Sequence, residues 1–154
     1  MRLRLWIFGF ILIFTVAACD AIGLLPADEA AMSAGDADVV FVRAVESSSN
    51  TWTFHVTVAH PDTGWEDYAD GWDVVLPDGT VILPDSSSDF TRLLLHPHEN
   101  EQPFTRSQSG IVIPLDVNEV RVRAHDIVDG FGGKEVLVDL TQSTGTDFAV
   151  ERAQ

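Results

Sequence analysis

Residues 51–60 read TWTFHVTVAH, and this stretch decides the fold. Trp52, Phe54, Val56 and Val58 fall on one side of an extended chain. Thr51, Thr53, His55 and Thr57 fall on the other. Strict alternation of this kind marks a strand with one face in a core and one in water. The flanks extend the pattern. Before it, DVVFVRAVE (38–46) is rich in β-branched residues and ends in SSSN (47–50), a turn cluster. After it, WDVVLPDGTVIL (72–83) reads as two short strands around Pro77-Asp78-Gly79. Proline there presets φ, and glycine permits a positive φ.

The same reading continues to the end of the domain. DFTRLLLH (89–96) and SGIVIPL (109–115) read as strands. EVRVRAHD (119–126) alternates with Val120, Val122 and Ala124 inward and Arg121, Arg123 and His125 outward. KEVLVDL (134–140) closes the set with Val136, Val138 and Leu140 inward. Seven or eight short strands, spaced by roughly ten residues with turn signals between them and no useful helical periodicity, call for an all-β antiparallel sandwich. IVIPLDVNEVRVRAHDIVDGFGGKEVLVDL (111–140) resembles the last three strands of fibronectin type III and related immunoglobulin-like domains. It departs from them at the tyrosine corner, near where Val120 stands. The resemblance implies an immunoglobulin-like sandwich.

The first twenty residues, MRLRLWIFGFILIFTVAACD, read as an address. Arg2 and Arg4 form a basic start, and Leu5 to Ala18 is an apolar run of about fourteen residues. That length suits a signal peptide better than a membrane span. Val16-Ala17-Ala18-Cys19 resembles the lipobox of bacterial lipoproteins. The resemblance implies cleavage before Cys19, lipid on its thiol and acylation of the new amino terminus. Several acyl chains give the stable anchoring that one chain does not. Asp20 resembles the inner-membrane retention signal of enterobacterial lipoproteins. The expected organisation is a signal peptide at 1–18, a lipidated Cys19 with a flexible tether to residue 36, a sandwich over 37–141 and a loose tail over 142–154. The expected location is the cell envelope, facing the periplasm.

Composition narrows the partners. Nine Lys and Arg stand against 24 Asp and Glu, a formal net charge of −15, so a nucleic acid would be repelled. Removing residues 1–18 takes away two arginines and no acids. The mature chain is therefore more acidic still and has no basic patch for anionic lipid. With one cysteine there is no intrachain disulfide and no cysteine-rich zinc site.

Topology gathers the polar residues. In an immunoglobulin-like sandwich the B–C, D–E and F–G loops share one pole. With 51–60 as strand B, 72–77 as C, 89–96 as D, 109–115 as E, 119–126 as F and 134–140 as G, four of the five histidines, His60, His96, His98 and His125, fall in or beside those loops. Trp65, Asp67, Tyr68, Asp70, Glu99, Glu101, Arg106, Asp126 and Asp129 join them. The opposite connections, SSSN, PDSSS and LDVNE, carry no histidine, tryptophan or tyrosine. Three readings follow. The first is a binding pole for an envelope protein or a small ligand, with Trp65 and Tyr68 as stacking surface and Glu99, Glu101, Arg106 and Asp126 as polar contacts. The second is a copper or zinc site built from His60, His96, His98 and His125, because neutral imidazole suits both metals. Neither HExxH nor a cysteine pair accompanies it. The third is structural: His60-Pro61-Asp62, His96-Pro97-His98 and His125-Asp126 would order the loops by bonding orphan backbone groups. A small hydrolase is the least supported, since Ser107 and Ser109 lack a nucleophile elbow and no spacing fixes the carboxylate pairs. No enzymatic activity is assigned. HPDTGWEDYADGW (60–72), LLLHPHENEQPFTRS (93–107) and RAHDIVDGFGGK (123–134) also resemble segments of small exported bacterial proteins of unassigned function, which implies no activity.

Overall fold

The protein is described by a computed structural model over residues 35–153. The signal segment, Cys19 and residues 20–34 of the expected tether lie outside the described residues. Within them the fold is all β, with no helix. Nine strands follow one another: β1 (Asp38–Ser48), β2 (Thr51–Ala59), β3 (Ala69–Val75), β4 (Arg92–Leu93), β5 (Phe104–Val112), β6 (Glu119–Asp126), β7 (Val136–Asp139), β8 (Thr144–Gly145) and β9 (Phe148–Glu151). They form two sheets, ordered β5-β2-β1-β9-β8 and β4-β3-β6-β7. This is the sandwich arrangement expected from the alternation, and it is consistent with an immunoglobulin-like domain.

The core follows the period-2 pattern. Trp52, Phe54, Val56 and Val58 of β2 face Trp72 and Val74 of β3, Val120, Val122 and Ala124 of β6, and Val136 and Val138 of β7 in one buried cluster. In β1 the alternation slips at a bulge between Val39 and Phe41. Val39, Val42 and Ala44 are buried as a result, while Phe41 turns to solvent. Asn50 closes the β1–β2 hairpin at φ 53°, a left-handed conformation that asparagine tolerates.

Four expectations are corrected. Residues 142–154 are not a loose tail: β8 and β9 pair with each other, and β9 runs parallel to β1 from Val42↔Phe148 to Val45↔Glu151. Phe148 and Val150 thereby join the core, and Glu151 grips Arg43 through two bonds of 2.7 and 3.0 Å. The DFTRLLLH strand shrinks to Arg92–Leu93 and pairs with β3 in the second sheet. Its place beside β3 is partly taken by a side chain, since Thr91 Oγ1 accepts from Val74 N (2.8 Å) and donates to Ile82 O (2.7 Å). The second strand of WDVVLPDGTVIL is likewise only a bridge, Val75↔Val81. Finally, the SGIVIPL strand begins earlier, at Phe104, so Arg106 lies in β5 opposite Val56 rather than in a loop.

Register fixes where the loops go. Phe104 pairs with Val58, Asp38 with Ala59 and Ala69 with Asp126. The ends of β2 and β6 and the starts of β1, β3 and β5 therefore lie together. Because β4 belongs to one sheet and β5 to the other, the connection between them crosses the sandwich at this same pole.

Candidate functional site

Asp62 is the hub of that pole. Its side chain is fully buried and accepts from three places. His60 Nδ1 donates to Oδ1 at 2.6 Å, Ala69 N donates to Oδ1 at 3.2 Å, and His98 N donates to Oδ2 at 2.6 Å. A carboxylate with several donors repays burial that an unpaired one would not. One side chain thus ties the end of β2, the start of β3 and the β4–β5 connection. Gln102 adds a second tie by accepting from His60 N at 3.0 Å.

His60 is itself 1% exposed. Its Nδ1 proton is committed to Asp62, which aims Nε2 at a set of oxygens. Gly35 O lies 2.9 Å away and Asp67 Oδ1 3.6 Å away. Asp126, at the inward register position that ends β6, approaches the same point. The ligand atoms of His60, Asp67 and Asp126 all lie within 4.8 Å of one another. Asp126 Oδ1 is occupied by Val128 N (2.9 Å) and Asp129 N (2.6 Å), capping the Gly130 turn. Its Oδ2 is buried without a partner, and so is Asp67 Oδ1. Asp36 and Asp129 stand against Asp126 in a second group of the same kind.

The four histidines do not form one cluster. His96 is exposed, and its Nδ1 turns back to Pro97 O at 3.0 Å. His98 is buried and stacked on Phe104, with ring centroids 3.8 Å apart and planes 11° off parallel. Neither of its ring nitrogens has a hydrogen-bond partner. Burial first, then the charges of Arg106 and His96, hold its pKa below the ordinary histidine value, against the opposing pull of Asp62 and Glu101. His125 faces outward from β6 and bonds Asp70 Oδ1 at 2.6 Å between Phe90 and Phe131. Among the described residues, the groups able to hold a metal include His60 but none of His96, His98 or His125. His96 and His98 pack ring against ring, with centroids 4.5 Å apart, while His125 is engaged by Asp70 and His60 by Asp62.

The remaining candidates lie around the rim. Trp65 is 66% exposed and meets Tyr68 edge-on at 5.9 Å. Arg106 bridges to Glu101 at 2.9 Å and leans over Phe104. Glu99 is exposed beside Gly64. Trp72 is wholly buried and belongs to the core. His55, at mid-strand on β2, pairs with Ser107 across the outer face at 2.7 Å.

In the sequence Asp62 stands out only as part of a loop-ordering His60-Pro61-Asp62 segment, and Gly35 and Asp36 read as tether. The signal for Asp62 was its position two residues after a histidine on a proline turn. For Gly35 and Asp36 nothing local distinguished them from the Ala-rich segment before.

Comparison with known proteins adds one relative. The chain is 37% identical over 111 residues to a protein of Halomicrobium mukohataei named a putative lipoprotein. The match covers 72% of this chain and 50% of the relative, so the chain spans about half the length of the protein it resembles. No family model and no solved structure matches.

Proposed function

We propose that this chain is a lipid-anchored binding module of the cell envelope, held through Cys19 with its sandwich facing the periplasm. The similarity to a putative lipoprotein carries the anchoring half of this reading, and the residues Val16-Ala17-Ala18-Cys19 supply the chemistry. Asp20 favours the inner membrane in this reading. The binding half rests on the rim of the polar pole. Trp65 and Tyr68 offer a joined aromatic surface with Glu99 beside the same loop at Gly64, and the Glu101–Arg106 ion pair adds charge on the neighbouring connection. An exposed tryptophan flanked by polar groups suits an envelope protein or a small ligand held by stacking.

Metabolic labelling with a fatty-acid analogue tests the anchor. The full chain is expected to take up label and to sediment with membranes. Cys19→Ser is expected to lose both, and label retained by that variant refutes the reading.

A further inference from the structure

We propose that the base of the pole is a divalent metal site, with His60 Nε2, Asp67 Oδ1 and Asp126 Oδ2 as its side-chain ligands and Gly35 O beside them. The argument starts from the proton on His60. Its Nδ1 lies 2.6 Å from the Asp62 carboxylate, so Nδ1 carries hydrogen and Nε2 is left to meet oxygens alone. A proton on Nε2 would hydrogen-bond Gly35 O, at 2.9 Å, and reach Asp67 Oδ1 only at ion-pair distance, 3.6 Å. Asp126 Oδ2 and Asp67 Oδ1 would remain buried without partners, and Asp126 is 0% exposed. Leaving a buried carboxylate oxygen unpaired is costly. A divalent ion answers all four atoms together and neutralises the two carboxylates.

The spacing is close to what one ion needs. Ligands about 2.1 Å from one ion are separated by about 3.0 Å when at right angles, about 3.4 Å when tetrahedral and about 4.2 Å when opposite. The observed 2.9 and 3.6 Å from Nε2 lie at the edge of and within that interval, and the side-chain ligand atoms, all within 4.8 Å of one another, need only a small contraction onto an ion. Asp62 then plays the outer part of a carboxylate–histidine–metal relay, fixing the tautomer and orientation of the ligand. One imidazole with two carboxylates and a carbonyl suits a first-row ion of the manganese-to-zinc kind. Calcium favours six to eight oxygens. Such an ion would pin the start of β1, the β2–β3 loop and the end of β6 at one point, beneath the rim described above. The site depends on neither the lipid nor a rim partner.

Zinc is the probe. The full chain in detergent, stripped with chelator and dialysed against zinc chloride, is expected to hold one zinc per chain and to melt at a higher temperature with zinc than without. Asp67→Asn and Asp126→Asn are each expected to weaken binding at least tenfold while circular dichroism shows the sheet intact. Since Asp67 is partly exposed, its variant keeps the test alive if Asp126→Asn does not fold. Imidazole nitrogen NMR is expected to show Nε2 of His60 shifting on zinc addition while Nδ1 keeps its proton. His96→Ala is expected to bind as the parent does, and so is Cys19→Ser, which separates this site from the anchor. Absence of zinc at one equivalent, binding untouched by both aspartate variants, or an unmoved Nε2 overturns the proposal.

Discussion

Removing the Asp62 carboxylate is expected to cost about 3–6 kcal/mol of stability. Two effects compete in Asp62→Ala. A buried charge is taken away, which relieves its desolvation. Three donors that pointed at it are left behind in the same dry site: His60 Nδ1–H, Ala69 N–H and His98 N–H. Each buried donor without an acceptor costs about 1–3 kcal/mol, and breaking a buried charged network by deleting one partner is destabilising on balance. The three share one acceptor, so their costs do not add fully, which sets the range. Against a typical domain stability of about 5–15 kcal/mol this is a large fraction. For a domain of this size each kcal/mol moves the melting temperature by about 4 °C, so a fall of about 12–24 °C is expected. Asp62→Asn keeps one oxygen but presents an amide to a donor, and is expected to lie about midway. The assay is urea unfolding of parent and variants in chelator, which keeps metal out of the comparison. A loss under about 1 kcal/mol for Asp62→Ala would refute the hub.

Two further outcomes are expected. A chain ending at Ser143 loses β8 and β9 and with them the burial of Phe148 and Val150. At about 1.5–3 kcal/mol per buried large apolar side chain, urea unfolding is expected to show a loss of about 3–6 kcal/mol; an unshifted midpoint would mean the β9 pairing contributes nothing. For His98, burial holds the folded-state pKa below its ordinary 6.5. The unfolded chain therefore binds the proton first as pH falls. The stability that neutral His98 contributes is complete above about pH 6.5 and is lost as pH drops from there through the folded-state value. The urea midpoint is expected to fall between pH 7.5 and 5.5, and to fall less in His98→Gln; equal falls in both would remove His98 as the cause.

The core was legible because its residues repeat. Trp52, Phe54, Val56 and Val58 announce their shared face, and Val120, Val122 and Ala124 announce theirs. The start of β5 was not legible, because Arg106 and Gln108 occupy positions where a pattern search needs apolar residues. Nor was β4, where Leu93, Leu94 and Leu95 run together without alternation and only Leu94 is buried. The strand β9 is four residues long and finds its partner about a hundred residues earlier, a pairing with no local signal. In the site, strand order placed the right loops at one pole, and it placed Asp126 there by simple register. Which side chains turn inward was decided by partners the sequence does not order: Asp70 took His125, Phe104 took His98, and Asp62 took His60.

The parallel ladder between the first and last strands also bears on force. Because β1 and β9 run in the same direction, the described fold is entered at one end, at Gly35, and left at the other, after Glu151. Tension between those points pulls the two strands past each other. The rungs from Val42↔Phe148 to Val45↔Glu151, and the Arg43–Glu151 clasp beside them, are then strained together instead of opening one by one. Force applied between those two ends therefore loads the ladder in shear.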